Sequence, residues 1–215
     1  MNWNKMKNRD EIIGRIICWG ARVVAGVSAR WVNCKPSSQQ RIYYANHSSH
    51  LDILILWSSL PTEVRRMTRP VAAGDYWLTS KARRYLVNNV FNAIVVQRPS
   101  KGGSLRDAIK AINDTLAGMG DKHSLIIFPE GTRGEGEEMA AFKGGLYNIA
   151  KGKPGIELIP VYMENLNRIL PKGEQFPIPL ISSISFGPPL KLEDGEHKKM
   201  FLARTRQAII DLQNT

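Results

Sequence analysis

Residues 41–61, RIYYANHSSHLDILILWSSLP, contain a short apolar strand, a polar junction and an apolar helix in succession. We predict the strand at residues 41–46 and the helix at residues 51–60, where Pro61 ends it. The junction, NHSSHLD (residues 46–52), carries two histidines and an aspartate. A strand that leads through a polar turn into a helix is the repeating unit of an α/β fold.

The same alternation continues toward the C-terminus. Further apolar strands are predicted at residues 71–73, 93–96, 125–128, 158–163 and 181–186. Further helices are predicted at residues 78–89, after Ser104 as an N-cap, at residues 145–151 and at residues 198–212. Strands that alternate with helices predict an α/β sheet covered by helices.

The composition is that of a folded, basic protein. The chain has 215 residues, 43% of them hydrophobic and 23% charged, which fits one globular domain and excludes wholesale disorder. Two cysteines cannot form a disulfide framework, so a reducing compartment is the simpler expectation. Lys and Arg outnumber Asp and Glu by 30 to 19, for a net charge of +11. We therefore expect an anionic partner: a nucleic acid, a membrane surface or a phosphorylated substrate.

Residues 10–31 are predicted to form one amphipathic helix. On a helical wheel Glu11, Arg15 and Arg22 lie opposite a broad apolar arc formed by Ile12, Ile13, Ile16, Ile17, Trp19, Val23, Val24 and Val27. Such a helix fits a membrane interface and equally fits the protein's own core, and both interpretations stay open. The arginines also interrupt the apolar stretch that a signal peptide requires. The longest segment without Asp, Glu, Lys or Arg, residues 175–190, contains four prolines, so no membrane-spanning helix is expected.

The junction at residues 46–52 carries a candidate acid–base pair. His47 and Asp52 are five residues apart, so within one regular helix their side chains would diverge by about 140°. If His47 instead lies in the turn, with Ser48 or Ser49 capping the helix, Asp52 can reach back to it. A carboxylate that holds one imidazole nitrogen leaves the other free to accept a proton from a hydroxyl. Two alternatives stay open: a structural histidine, and a metal site formed with His50.

Two further strand ends carry candidate anion-binding residues. In FPEGTRG, residues 128–134, glycines allow a sharp turn with exposed amides, and Arg133 adds a charged donor. Arg98 follows the strand at residues 93–96, and its guanidinium suits a bidentate phosphate contact. Each stretch alone also fits an ordinary turn or a surface ion pair. Together with His47 they place a base and two cations at strand ends, where open α/β sheets bind their ligands.

These motifs carry a family resemblance. His47 and Asp52 form a His-x4-Asp pattern, which is followed later in the chain by FPEGTR at residues 128–133. Two weaker blocks agree: VVQR at residues 95–98, with Gln97 where an acidic residue is common, and IPV at residues 159–161. In these motifs the chain resembles the glycerolipid acyltransferase superfamily, and within it the 1-acyl-glycerol-3-phosphate acyltransferases.

The resemblance implies a fold and a division of the chain. The expected fold is a single mixed α/β sheet flanked by helices, preceded by an amphipathic N-terminal helical segment. We accordingly predict a membrane-interface helical segment at residues 1–36 and an acyltransferase catalytic domain at residues 37–215. The match itself covers residues 42–190.

The resemblance also implies a reaction. His47, oriented by Asp52, would remove the proton from the 2-hydroxyl of a lysophosphatidate, and the oxygen would attack an acyl thioester without an acyl-enzyme intermediate. The thiolate leaves easily because the pKa of a thiol is lower than that of an alcohol. Glu130 cannot attract a phosphate, so it is expected to hold an arginine or a glycerol hydroxyl. The residues implied to bind the phosphoglycerol are Arg98, Glu130, Gly131, Thr132 and Arg133.

Partners and alternatives follow from the same resemblance. No metal and no cofactor is expected, and the acyl donor is expected to be acyl-CoA or an acyl carrier protein thioester. Membrane lipids and a lysophospholipid are the expected partners, on the cytoplasmic face of a membrane to which the protein binds peripherally. No nucleic acid is expected, since the sequence shows no helix-turn-helix, zinc-finger or RNA-binding motif. The alternatives are another acceptor such as lyso-ornithine lipid or lysophosphatidylglycerol, a non-catalytic basic binding module, and a metallohydrolase.

Overall fold

A computed structural model of the chain describes residues 8–49, 51–97, 105–134, 138–164 and 182–214. The strands in that part are β1 Ser28–Trp31, β2 Arg41–Ala45, β3 Thr68–Ala73, β4 Ile94–Val96, β5 Ser124–Ile127, β6 Glu157–Met163 and β7 Ser183–Phe186. The helices are α1 Asn8–Ala25, α2 Asp52–Ser59, α3 Thr62–Met67, α4 Gly74–Trp77, α5 Lys81–Tyr85, α6 Leu105–Met119, α7 Gly145–Gly152 and α8 Lys198–Gln213. A π-helical turn, Leu86–Val90, follows α5.

The strands form one mixed sheet in the order β1-β7-β6-β2-β5-β3-β4. Neighbouring strands are parallel except β6 and β7, which run antiparallel. β2 lies between β6 and β5, and each of its residues is buried. A strand that is buried on both faces needs helices on both sides of the sheet. The predicted single mixed sheet flanked by helices is confirmed.

Two apolar layers lie between the sheet and its helices. Tyr43 and Ala45 of β2 belong to one layer, and Ile42 and Tyr44 belong to the other, as the two-residue period of a strand requires. The first layer includes residues of α1, α2 and the π-helical turn, and the second includes residues of α6, α7 and α8. Burial of each large apolar side chain contributes about 1.5–3 kcal/mol. The two layers therefore fix the sheet whose loops carry the predicted motifs.

The N-terminal helix is shorter than the predicted helix at residues 10–31. α1 ends at Ala25, and the next residue, Gly26, has a φ of 49°, which ends a helix. β1, inside the predicted helix, instead pairs in parallel with β7, and Trp31 stacks on Phe186 with ring centroids 4.1 Å apart. The prediction was wrong here because the partner strand lies far along the chain, where helical periodicity carries no information about it. The first 36 residues thus contribute a strand to the sheet, and their membrane-interface role stays a prediction.

The apolar arc of α1 is divided between two environments. Ile13 and Ile17 are partly buried and pack against the core beside Cys18 and Ala21, whereas Ile12, Ile16 and Trp19 are 55%, 61% and 70% exposed. Both interpretations of this helix therefore keep a physical basis, since one face packs on the core and another faces outward. Across the residues that the structure describes, no helix is both long and apolar enough to cross a membrane.

Between α2 and β4 the chain forms more elements than predicted. α3 and α4 lie where no helix is predicted, and the predicted helix at residues 78–89 is divided into α5 and the π-helical turn. Ser80 starts α5 at a definite point, because its side chain accepts a hydrogen bond from the Arg83 amide at 3.2 Å. β3 begins at Thr68 rather than at residue 71. The predicted N-cap Ser104 lies outside the described residues, and so does residue 181 at the start of the last predicted strand.

Candidate active site

The loops that follow β2 and β5 lie side by side at the carboxyl edge of the sheet. The two strands are parallel neighbours, with Tyr44 paired to Ile127, so the residues just beyond them meet. His47 follows β2, and residues 128–134 follow β5. The structure therefore confirms that these two motifs come together. Arg98, which follows β4, lies outside the described residues.

His47 and Asp52 form a hydrogen-bonded pair, as their spacing predicts. His47 Nδ1 lies 2.8 Å from Asp52 Oδ2, and the same oxygen accepts hydrogen bonds from the Ser48 and Ser49 amides at 2.7 and 2.9 Å. The Asp52 side chain is fully buried, and that of His47 is 13% exposed. The predicted capping by a serine is wrong, because α2 begins without a side-chain cap and the serines contribute main-chain amides to Asp52 instead.

This arrangement decides which nitrogen of His47 is available for chemistry. An ionised carboxylate accepts hydrogen bonds and donates none, so we assign the imidazole proton to Nδ1. Within the described part of the chain, no group bonds to His47 Nε2. Phe128 stacks on the ring, with centroids 4.4 Å apart and planes 22° apart, and so limits its rotation. Nε2 can therefore accept a proton from a hydroxyl that enters the site.

Glu130 joins the two loops through the main chain. Its Oε1 accepts a hydrogen bond from the His47 amide at 2.7 Å, and its Oε2 accepts one from the Ala140 amide at 3.0 Å. The Gly134 amide in turn donates to the His47 carbonyl at 2.8 Å. Glu130 is only 3% exposed. Both main-chain polar groups of His47 are thus held by residues that follow β5, and both oxygens of Glu130 are engaged.

A cavity of about 430 Å³ opens beside His47. Its volume is in the range of small-molecule sites. Arg133, Lys143 and Asp75 contribute charged groups to its lining, and its apolar wall includes Tyr76, Trp77, Val96, Leu146 and Ile149. The cavity therefore offers an imidazole, two cations and apolar surface to one ligand.

The FPEGTR turn depends on Gly131, which has a φ of 70°. This left-handed conformation strains residues that carry a Cβ atom, so the turn requires glycine. Gly131 and Arg133 both line the cavity. Thr132 is exposed and lies outside the cavity lining. The structure thus brings two of these three predicted residues to the cavity that His47 lines.

Two residues of the site were not predicted from the sequence. Phe128 belongs to the quoted motif, but its stacking on His47 depends on the pairing of β2 with β5. Lys143 reaches the cavity because its amide donates to the Pro129 carbonyl at 2.8 Å, which brings a later segment back to the turn. No motif marks this lysine, which directly precedes two glycines.

Comparison with known protein families agrees with this arrangement. The sequence model of the Acyltransferase family matches residues 32–164. The chain belongs to the Acyltransferase family. The matched residues of this Acyltransferase chain include His47, Asp52, the FPEGTR turn and Lys143, and so contain the charged residues of the cavity.

Relatives of this Acyltransferase chain carry more specific names. A 1-acyl-sn-glycerol-3-phosphate acyltransferase of Chlamydomonas reinhardtii is 26% identical over 149 residues, covering 66% of this chain and 40% of that protein. A 1-acyl-sn-glycerol-3-phosphate acyltransferase of Cocos nucifera is 25% identical over 191 residues, covering 88% of this chain and 57% of that protein. The chain thus spans about half the length of these curated relatives.

A solved structure has the same fold as this Acyltransferase chain. It is the crystal structure of the 1-acyl-sn-glycerophosphate acyltransferase PlsC from Thermotoga maritima, with a TM-score of 0.74 and 16% sequence identity. The alignment covers 98% of this chain and 83% of that one. The likeness therefore extends over the sheet, the helices and the N-terminal α1.

Both cysteines of this Acyltransferase chain lie apart from the cavity lining. Cys18 is a buried residue of α1, and the Cys34 thiol donates to the Phe186 carbonyl at 3.3 Å. Burial raises the pKa of both thiols, which keeps them protonated and poorly nucleophilic. In the described part of the chain, no three His, Cys, Asp or Glu side chains are grouped closely enough to hold a metal ion.

Proposed function

We propose that the protein transfers a fatty acyl group from an acyl thioester to the 2-hydroxyl of 1-acyl-glycerol-3-phosphate, making phosphatidic acid for phospholipid synthesis. The observation that carries the proposal is the His47–Asp52 pair at the wall of a cavity that Arg133 also lines. A base beside a cation suits a hydroxyl substrate that carries a phosphate. The names of the curated relatives support the same acceptor.

His47 acts as the general base of the proposed reaction. Its Nε2 takes the proton of the acceptor 2-hydroxyl, and the oxygen attacks the carbonyl carbon of the thioester. A C–O bond forms, the C–S bond breaks, and the departing thiolate takes the proton back from the His47 imidazolium. Asp52 holds the ring in position and stabilises the imidazolium while it exists.

Direct transfer between the two substrates agrees with the cavity lining. Among the described residues that line it there is no serine or cysteine to carry an acyl group. In the proposed reaction the attacking hydroxyl is that of the acceptor itself. The donor is a thioester of coenzyme A or of acyl carrier protein, and the step uses no further cofactor.

The other motif residues divide into two roles. Arg133, Gly131, Thr132 and Arg98 are assigned to the phosphoglycerol part of the acceptor. The Gly131 amide donates to the Phe128 carbonyl at 3.0 Å, so this glycine contributes by shaping the turn and not by donating to the phosphate. The resemblance implies that Glu130 helps to bind the phosphoglycerol. We assign it a different role, because its oxygens accept hydrogen bonds from the His47 and Ala140 amides. A buried carboxylate in that position holds His47 rather than a glycerol hydroxyl.

The outer face of α1 fits peripheral binding to the cytoplasmic face of a membrane. Ile12, Ile16 and Trp19 are all more than half exposed. Arg15, which also pairs with Glu11 at 3.0 Å, lies on an adjacent strip of the same helix, and its exposed cation can meet anionic headgroups. A helix that is anchored on the core by its inner face can therefore hold the cavity close to its lipid substrate.

Replacing Trp19 and Ile16 together by serine is expected to lower binding to anionic phospholipid vesicles by about tenfold or more, since both apolar side chains leave the lipid. Vesicle flotation measures the bound fraction. Met200→Ser is the control, because Met200 is a 67% exposed apolar residue of α8. Equal losses in the two variants, or none in either, would remove α1 as the membrane-binding surface.

The proposed function predicts a definite acceptor preference. In detergent micelles with a radiolabelled long-chain acyl thioester, the protein is expected to acylate 1-acyl-glycerol-3-phosphate with a kcat/KM at least about tenfold above that for lysophosphatidylglycerol or lyso-ornithine lipid. EDTA is expected to leave the rate unchanged. Faster transfer to another lysolipid would keep the chemistry and replace the acceptor. Absence of transfer to every lysolipid would point to the binding module, and loss of activity with EDTA to metal-dependent chemistry.

A further inference from the structure

We propose that Lys143 is a second phosphate-binding cation, which makes the site selective for a phosphomonoester headgroup over a phosphodiester. The proposal rests on the proposed function and adds the residue that recognises the acceptor's charge. None of the sequence motifs includes Lys143, and the structure brings it to the same cavity as His47 and Arg133.

The main chain of Lys143 is held beside the FPEGTR turn, and its side chain lies over that turn. Its amide donates to the Pro129 carbonyl at 2.8 Å, which holds the main chain against the FPEGTR turn. Its side chain lies across Gly131: a Cβ atom added to that glycine would come within 2.8 Å of both Lys143 Cδ and Lys143 Nζ. The glycine therefore leaves room for the lysine stem as well as allowing the turn. The ammonium group consequently lies over the turn that leads to Arg133.

The charge of Lys143 has no partner in the described part of the chain. No described residue forms a hydrogen bond or an ion pair with its side chain, and the same is true of Arg133. Asp75 is the one carboxylate among the described lining residues, and it is engaged in another interaction. Two cations that have no carboxylate partner among the described residues thus face one cavity. A ligand with more than one negative charge would neutralise both.

Two cations in one cavity favour the binding of a phosphomonoester over that of a phosphodiester. A phosphomonoester has a second pKa near 6 and carries about two negative charges above neutral pH, whereas a phosphodiester carries one. The planar guanidinium of Arg133 can bind two oxygens of either group. The Lys143 ammonium adds a compact point charge, which can pair with the second negative charge of the monoester. The diester has no second negative charge for it.

A binding experiment tests this without relying on catalysis. The ligands are glycerol 3-phosphate and its methyl phosphodiester, titrated at pH 8 and followed by phosphorus NMR. The wild-type protein is expected to bind the monoester about tenfold more tightly than the diester, as one additional charge-assisted hydrogen bond predicts. Lys143→Met is expected to reduce that preference to about twofold or less, mainly by weakening monoester binding. Lys143→Arg is expected to retain it, because the charge is kept.

The control is Lys151→Met, which removes an exposed lysine of α7 that is not part of the cavity lining. It is expected to bind both ligands as the wild-type protein does. The proposal is overturned if the wild-type protein shows no preference for the monoester, if Lys143→Met keeps that preference, or if Lys143→Met weakens both ligands equally. Acyl transfer is measured separately on the same preparations. Inactivity toward every lysolipid would refute the proposed function, whereas the binding result alone tests whether Lys143 recognises the phosphomonoester.

Discussion

Replacement of His47 by alanine is expected to lower the kcat of acyl transfer by about 10³-fold, within the range by which a positioned general base accelerates a reaction. The variant loses Nε2, to which no described residue forms a hydrogen bond. It therefore loses the atom that accepts the hydroxyl proton. The KM for the lysolipid is expected to change by less than about threefold, because the cations of the cavity stay in place. Initial rates with a radiolabelled acyl thioester measure both constants.

Two comparison variants sharpen this result. Asp52→Asn keeps the size of the side chain but replaces the carboxylate oxygen that accepts three N–H groups by an amide NH2 group or by an uncharged amide oxygen, which is a weaker acceptor. A loss of kcat smaller than that of His47→Ala is expected. His197→Ala removes an exposed histidine before α8 and is expected to be as active as the wild-type protein. If His47→Ala kept more than about a tenth of the wild-type kcat, His47 would not be the base.

The pairing of His47 with Asp52 could be predicted because it is local. They are five positions apart, and the geometry of a strand, a turn and the first turn of a helix decides whether they meet. The meeting of His47 with residues 128–134 could be predicted only as a property of strand ends in an α/β sheet. Its details required the actual neighbours, since β2 lies beside β5 rather than beside β3.

Main-chain contacts were beyond the sequence. Glu130 binds the amides of His47 and Ala140, and an amide has the same chemistry at every residue except proline. A pattern of side chains therefore favoured an arginine or a hydroxyl as the partner of Glu130. The role of Lys143 could not be predicted for a related reason: its approach to the cavity depends on a turn that returns to Pro129.

Helical periodicity was similarly limited at the N-terminus. The wheel separates apolar from charged residues in α1, yet it does not show which side is buried: Cys18 falls on the side of the charged residues and is buried, whereas Trp19 falls in the apolar arc and is 70% exposed. That distinction depends on which strands and helices α1 packs against. Because the sequence does not show these packing partners, Ser28–Trp31 was predicted as part of the helix, whereas this segment is a strand that pairs with β7.

Replacement of Glu130 by alanine is expected to lower kcat by about 10²-fold while the KM for the lysolipid changes by less than about threefold. The reason is positional: the carboxylate holds the His47 amide at 2.7 Å, and a misplacement of the base by about 1 Å costs about this much in rate. The same variant leaves two part-buried amides without their acceptor, at a total cost of about 1–3 kcal/mol in the free energy of unfolding. Rates are therefore compared well below the midpoint of thermal unfolding.

Glu130→Gln separates positioning from general destabilisation. Its amide oxygen can accept from the His47 amide, but its NH2 group then faces the Ala140 amide, so one of the two hydrogen bonds is lost. A loss of kcat of about tenfold, between the wild-type protein and Glu130→Ala, is expected if the hold on His47 determines the rate. Glu138→Ala, which removes an exposed carboxylate farther along the same loop, is expected to keep both kcat and stability.

The division between kcat and KM decides between the two roles of Glu130. A carboxylate that bound a glycerol hydroxyl would contribute to the affinity for the acceptor, and its removal would raise the KM by about tenfold or more with little change in kcat. A carboxylate that holds His47 contributes after the acceptor has bound, because the position of Nε2 relative to the 2-hydroxyl matters in the transition state. The buried position of Glu130 and its two main-chain partners favour the second result. A raised KM at unchanged kcat would return Glu130 to the substrate. The Gly134 amide, which donates to the His47 carbonyl, would then be the remaining main-chain contact that positions His47.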